Sequence, residues 1–358
     1  MAGMSETLQA AIAALFIPET DVRLGDSEAR IRAGVGEGRA AVSITAGYPL
    51  DGLRTALETA IGELLAGEGL SLASLELNTR IVSHAVQPKL APLPSVRNVI
   101  AIGSGKGGVG KSTTAVNLAL SLAADGARVG VLDADIYGPS VPMMLGLSGR
   151  PDSPDGKSIE PMRAHGLEAM SIGPLVEQDT PMIWRGPMAT SALTTLLNDT
   201  RWGELDYLIV DLPPGTGDIQ LTLSQKIPVA GAVIVTTPQD VATLDAKKAL
   251  RMFEKVEVPV LGLIENMAVH VCSNCGHAEH LFGEGGGARM ASQYGVSLLG
   301  SLPLEIGIRE QGDAGVPIVA SAPDSTAARA YRAAARRLAV QLALRPRVTP
   351  SISASLLG

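Results

Sequence analysis

The sequence predicts an α/β protein built on a doubly wound, mostly parallel sheet, with a small α+β unit ahead of it. Three observations predict it. From Arg97 onward, short apolar runs recur at 99–102, 129–133, 207–211, 232–237, 260–266 and 298–303. They are continuously apolar rather than alternating, as parallel strands buried on both faces are. Segments of helical period separate them, which suits crossover connections. The first run also leads directly into a glycine-rich loop followed by a helix-period segment.

Taken in order, residues 1–86 form the small unit. Leu8, Ile12, Leu15 and Phe16 have helical spacing, and Leu53, Leu57, Ile61, Leu64 and Leu65 repeat it. Between them the stretch 31–45, interrupted by Gly34, Gly36 and Gly38, suits a hairpin. Residues 72–82 follow as a last strand, with Leu75, Leu77, Thr79 and Ile81 on one face. The stretch 87–97 contains Pro88, Pro92 and Pro94 and reads as a linker, because each proline disfavours helix in the residue before it. The large unit occupies 98–345, and the serine-rich stretch 346–358 reads as a flexible tail.

Composition narrows the function classes. The 358 residues carry a formal net charge of −7, with only 3% aromatic residues. That argues against a broad polyanion-binding face and against stacking platforms for single-stranded nucleic acid. No positive n-region precedes the first apolar run, and no run approaches a membrane span, so a cytoplasmic protein with no nucleic-acid or membrane partner is expected. Two cysteines, both in one C-x-x-C, exclude a disulfide framework.

The loop after the first run is Gly105-Lys106-Gly107-Gly108-Val109-Gly110-Lys111-Ser112, with a helix beginning near Lys111 and Thr113 counted with the loop as nucleotide-binding. It matches G-x-x-x-x-G-K-[ST] in the strand–loop–helix context that the motif requires. Glycines let backbone N–H groups curl around phosphates, and the helix N-terminus directs its positive dipole end at the same anion. Lys111 is expected to neutralise the β- and γ-phosphates of ATP, and the Ser112 hydroxyl to ligate Mg²⁺. Asp211 ends the third run in a carboxylate suited to the same Mg²⁺, and Pro213-Pro214-Gly215-Thr216-Gly217-Asp218 follows as a γ-phosphate-sensing loop. Asp133-Ala134-Asp135 ends the second run, with Asp135 expected to orient or activate the attacking water and Asp133 to support it from within the strand. Asn266, at the end of the fifth run, is expected to contact the nucleotide.

Cys272-Ser273-Asn274-Cys275 lies just beyond Asn266, with His270, His277 and His280 around it. From these residues three readings stay open. A zinc knuckle would use both thiolates and two histidines, and on the motif alone it comes first. A thioredoxin-like dithiol needs a helix behind the first cysteine, for which the residues after Cys275 give no sign. An iron–sulfur cluster wants four thiolates, and one chain offers two.

The loop from Lys106 to Ser112 resembles that of the deviant-Walker ATPases, and the resemblance implies that Lys106 reaches across a homodimer to the partner's ATP. More widely, residues 99 to about 340 resemble the Mrp-type, or Mrp/Nbp, iron–sulfur carrier ATPases. The stretches that carry it are the loop itself with Gly103 and Ser104, Asp133-Ala134-Asp135-Ile136-Tyr137-Gly138-Pro139-Ser140, and Pro181-Met182-Ile183-Trp184-Arg185-Gly186-Pro187-Met188. Asp211 to Asp218, Glu265-Asn266-Met267 with the C-x-x-C, and Phe282-Gly283-Glu284-Gly285-Gly286 complete it. The resemblance implies a labile [4Fe–4S] cluster bridged between two chains by Cys272 and Cys275 of each, and its transfer to apoproteins. Residues 1–86 resemble the MIP18-type domain, but Gly47-Tyr48-Pro49 stands where that domain often has Cys-Pro, so docking rather than thiol chemistry is expected there. A MinD/ParA-like positioning ATPase and a zinc-stabilised regulatory ATPase are the competing readings.

Overall fold

The computed structural model describes residues 2–175, 186–272 and 274–347. Residues 181–185 of the Pro181–Met188 motif, Ser273 of the C-x-x-C and 348–358 of the expected tail lie outside them.

The small unit consists of α1 (Ala2–Ala13), β1 (Arg30–Gly36), β2 (Arg39–Ala46), α2 (Arg54–Gly67) and β3 (Ser71–Thr79), its strands in the order β1-β2-β3. The hairpin turns at Glu37 and Gly38, both at positive φ (53° and 73°), so Gly34 and Gly36 lie within β1 instead of breaking it. Leu75, Leu77 and Thr79 pair with Val42, Ile44 and Ala46, which places them on the face that α1 and α2 cover.

The large unit starts with β4 (Val96–Gly103), two residues inside the stretch expected to be linker, and continues through α3 (Lys111–Ala124), β5 (Val129–Asp133) and α4 (Val141–Met144). Next come β6 (Met162–Ala164), β7 (Leu167–Ser171), α5 (Gly186–Asp199), β8 (Leu205–Asp211) and α6 (Asp218–Lys226). β9 (Gly231–Thr236), α7 (Asp240–Lys255), β10 (Val260–Val271), β11 (Ala278–Glu279) and α8 (Gly286–Tyr294) follow. The last elements are β12 (Leu298–Leu304), α9 (Ile306–Asp313), α10 (Ile318–Ser321) and α11 (Thr326–Ala343). Strand order is β11-β10-β9-β4-β8-β5-β7-β6, with β12 parallel to β10. Within this sheet, only β6 and β11 run antiparallel to their neighbours among the described residues. All six anticipated runs are strands. β6, β7 and β11 were not anticipated, being short and partly polar.

Every residue of β5, β8 and β9 is buried. Alternate side chains serve opposite layers: Ile100, Ile102, Val131, Ile209 and Val233 face α3 and α11, while Val99, Ala101, Leu132, Val210 and Ile234 face the α5–α7 side. That period of two is why a continuously apolar run is needed.

The small unit joins the α3/α11 side. Its core side chains Leu24, Ile44 and Leu57 belong to the same apolar cluster as Leu122 and Leu338. Polar bonds fix the approach. Arg336 on α11 is 8% exposed and grips Asp125 through Nε and Nη2 at 2.7 and 2.9 Å, while its Nη1 reaches Glu19 at 2.7 Å. The Asp125 carbonyl accepts from Asp51 N–H at 3.1 Å, and its carboxylate fills the space a side chain at Gly52 would need. The connecting stretch is pinned as well: buried Gln87 donates to the carbonyls of Ser224 and Ile227 and accepts from Val229 N–H.

Removing one partner of a buried charge pair leaves the other uncompensated, at a cost of about 3–5 kcal/mol. Arg336→Met should therefore lower stability by about 3 kcal/mol and speed proteolysis near residues 84–95. Urea unfolding with limited trypsinolysis tests this; a loss below about 0.5 kcal/mol would show that the clamp does not hold the units together.

Candidate active site

The phosphate loop leaves β4 at the carboxyl edge of the sheet, and its glycines answer two constraints. Gly108 and Gly110 sit at φ +77° and +78°, where L side chains are strained, and a side chain at Gly110 would also strike the Asn266 amide. Gly105 lies against the backbone of α7 at Asp245, leaving no room for a Cβ. α3 begins at Lys111, so its N-terminus faces the space inside the loop.

Lys111 is only 6% exposed. Its Nζ lies 2.5 Å from Asp211 Oδ1, 3.3 Å from Ser112 Oγ and 3.9 Å from Asp135 Oδ2. The three anticipated segments thus meet around one ammonium. Asp133 is completely buried, with its carboxylate accepting from the N–H groups of Asp135 and Val141 and from the Ser171 hydroxyl. Burial, then the neighbouring Asp211 charge, pushes its pKa up to about 7. Burial also raises Asp211 and Asp135, opposed in both by the Lys111 charge. Oδ2 of Asp211 is buried without a hydrogen-bond partner.

A cavity of about 430 Å³ opens over the loop, with Lys106, Lys111, Ser112, Thr113, Asp135 and Asn266 among its walls. The structure therefore brings Lys106, Gly107, Gly108, Gly110, Lys111, Ser112, Thr113, Asp135 and Asn266 to one space, while Gly105, Val109 and Asp211 do not line it. Its apolar side is formed by Met143, Met144, Pro303, Leu304 and Ile308, which the sequence reading missed. Their signal was positional: Pro303 and Leu304 end β12 at the same edge of the sheet. Lys106 is half-buried and makes no ion pair among the described residues. Gly215 N–H donates to the Ser104 carbonyl at 3.1 Å, tying the Pro213–Asp218 loop to the phosphate loop.

β10 continues past the cavity over the phosphate loop to Val271 and carries the cysteines at the tip of its hairpin with β11. Cys272 is half-buried and Cys275 exposed, and both are free thiols. A turn holds them: Gly276 N–H donates to Cys272 O, and Cys272 N–H to His277 O, both at 2.9 Å. The N–H groups of Asn274 and Cys275 point at the Cys272 sulfur and lower its pKa. β11, not a helix, follows Cys275, against the oxidoreductase alternative. The histidines do not close a metal site with the thiols. His270 Nδ1 is bonded to Leu304 O and His280 Nδ1 to Ala268 O, and among the described residues no three His, Cys, Asp or Glu side chains converge.

Residues 95–339 match the family described as ParA: NUBPL iron-transfer P-loop NTPase. An iron–sulfur cluster carrier protein of Pseudomonas fragi is 58% identical over 278 residues, covering 77% of this chain and 96% of its own. Its counterpart in Escherichia coli K12 is 55% identical over 82% of this chain and 80% of its own. The mouse iron–sulfur cluster transfer protein NUBPL is 50% identical over 75% and 84%. Among solved structures, a nucleotide-binding protein of Archaeoglobus fulgidus in complex with ADP shares 40% identity at TM-score 0.56, covering 62% of this chain and 87% of that one. The cell-division ATPase MinD of Pyrococcus furiosus, 22% identical at TM-score 0.52 over 67% of this chain and 98% of that one, shares the fold.

The carboxylate cluster has a measurable consequence. Because folding raises the Asp133 pKa from about 3.8 to about 7, the native state holds a proton that the unfolded chain has released between those values. This contribution to stability therefore falls as pH rises from about 4 to about 7. Asp133→Asn removes that dependence while sacrificing one accepted hydrogen bond. The stability gap between wild type and variant should shrink between pH 5 and pH 8 in urea unfolding; a constant gap would show that Asp133 does not carry the proton.

Proposed function

The chain belongs to the ParA/NUBPL family of iron-transfer P-loop NTPases, and on that premise we propose that it is an ATP-hydrolysing carrier that holds an iron–sulfur cluster between two copies of itself and delivers it to apoproteins. The observation that carries this reading is the placement of Cys272 and Cys275. Two thiols stand alone on a hairpin tip, on the strand whose earlier residues border the nucleotide cavity. A four-thiolate cluster is completed when a two-fold axis brings two such tips together. The exposed apolar side chains support a second copy on this side: Met143, Val241, Leu244 and Ile306 all follow the carboxyl ends of parallel strands. So does Lys106, which makes no ion pair among the described residues and is assigned to the partner's phosphates.

ATP takes Lys111 away from Asp211 and sets it against the β- and γ-phosphates, with backbone N–H groups of 105–113 around them. Hard oxygen donors and the unpartnered Asp211 Oδ2 fit Mg²⁺, so Ser112 and Asp211 are the residues that would hold it. When bound, Mg²⁺ supplies charge neutralisation at the phosphates. Asp135, its pKa raised by burial, orients the attacking water and receives its proton as the γ-phosphate leaves ADP. Slow hydrolysis would serve as a timing switch, and residues 1–86 as a docking unit. Cytoplasmic work independent of membranes and nucleic acids completes the reading.

Lys111→Ala should weaken ATP binding about 100-fold, as expected from losing about 3 kcal/mol of charge-assisted contact, and calorimetry reads it directly. Wild-type affinity would end the nucleotide assignment. Asp135→Asn should retain ATP binding and lose phosphate release; persistent hydrolysis at the wild-type rate would give the water to another residue. For the cargo, anaerobic reconstitution should load four irons per dimer, lost with the thiolate absorption in Cys272→Ala. One tightly held zinc per monomer, unaffected by dilution, would instead favour the zinc-stabilised ATPase.

A further inference from the structure

β10 leaves its register between the nucleotide cavity and the cysteine hairpin. It pairs with β12 at Glu265↔Ser301 and again at Val269↔Pro303, so residues 266–268 of β10 stand opposite Leu302 alone. Such a bulge is a built feature that re-aims side chains. Met267 within it has φ +58°, the left-handed region that a methionine rarely adopts. The base of the bulge is locked in place, because buried Glu265 accepts from Gly287 N–H at 2.7 Å.

The two ends of the bulge are bonded to the two functional loops. Asn266 Nδ2 donates to the Val109 carbonyl of the phosphate loop at 2.8 Å, and Met267 also borders the nucleotide cavity. At the other end, the Ala268 carbonyl accepts from His280 Nδ1 at 2.8 Å. A carbonyl can only accept, so the Nδ1 of His280 carries the proton in this bond. His280 lies beyond Cys275 on the return arm of the hairpin, and a second bond, His270 Nδ1 to Leu304 O at 2.9 Å, holds the outgoing arm to β12. These two side-chain bonds tether the thiol hairpin, and of the two the His280 bond ends on the bulge.

We propose that His280 is the positioning residue through which the nucleotide state sets the exposure of Cys272 and Cys275, acting by its bond to the Ala268 carbonyl of a bulge that Asn266 ties to Val109. Phosphates entering the loop displace Val109 and Gly110, and Asn266 carries the displacement into the bulge. Met267, held in a sparsely populated backbone region, gives the bulge a second arrangement to relax into. The Ala268 carbonyl then turns with it and moves the His280 anchor. His280 touches neither phosphate nor cargo in this scheme; it transmits. The inference rests on the assignment of the loop as the ATP site.

The test uses the full-length, reduced, metal-free protein, which avoids any dependence on cluster loading. Alkylation rates of Cys272 and Cys275 by iodoacetamide are followed by mass spectrometry with and without saturating Mg-ATP, and ATP affinity is measured in parallel. In wild type, ATP should change the rate at least threefold. His280→Ala should bring the ratio to near one while the ATP affinity stays within twofold. His280→Asn, whose side-chain amide can replace the Nδ1 donor, should restore part of the response, which a general loosening of the hairpin would not allow. A wild-type ratio near one with ATP bound, or an undiminished ratio in His280→Ala, overturns the coupling while leaving the ATP site intact. Failure of wild type to bind ATP refutes the nucleotide assignment, and the coupling with it.

Discussion

One buried ammonium organises the carboxyl edge of this sheet. Lys111 has almost no access to water and is surrounded by Asp211, Asp135 and, behind them, Asp133. An isolated ion in such a place would carry a desolvation penalty of several kcal/mol, and the carboxylates offset it. The reverse also holds, since three carboxylates cannot all ionise beside one cation. Burial first, and the neighbouring Asp211 charge second, raise the pKa of Asp133. On the proposed reading, a triphosphate with its divalent cation would change this balance, offering Lys111 a stronger partner and Asp211 a new counter-charge. The site would then be an electrostatic mould of the nucleotide complex.

Parallel strands make the mould possible. β4, β5, β8, β10 and β12 all run the same way, so the loops after them open on one edge. Each contributes one part: the phosphate loop, Asp135, Asp211, Asn266 and the apolar wall at Pro303. The apolar interior behind them fixes their spacing. Val99 to Ile102 pack into layers on both faces of the sheet and cannot shift without disturbing either. The precision of the site is inherited from side chains that never touch it.

Legibility in the sequence followed the range of the interactions. The phosphate loop could be read because its requirements are local, with glycines and lysine at fixed spacing between a strand and a helix. The buried strands could be read because burial on both faces leaves a continuous apolar run. Residues 167–171 could not, because Glu168 interrupts the run and its carboxylate bonds Gly203 N–H, a partner 35 residues away. The Asp125–Arg336 clamp spans 211 residues and has no local signature. Gly52 likewise reads as an ordinary loop glycine until the Asp125 carboxylate is seen in its place. The bulge at 266–268 was hidden for another reason: the apolar run reads as ending at Asn266, and only the pairing of Val269 with Pro303 shows that β10 continues past it with extra length.

The contrast between the two loops on β10 follows from what each has to do. Phosphate transfer to water needs a dry, preorganised pocket, and Asp211, Lys111 and Asn266 are all buried. A metal cargo that is taken up and surrendered needs the opposite, a ligand set that a partner surface can reach. Cys275 is exposed and Cys272 half-buried, with their turn held by backbone bonds instead of by packing. A single strand connects the two environments, and it is buried through Asn266 but increasingly open by Val271. A regular strand would pass along its whole length unchanged whichever ligand was bound. The bulge interrupts that rigidity at the boundary between the dry and the open half. This is where a displacement of the phosphate loop can be turned into a movement of the thiols without disturbing the core beneath.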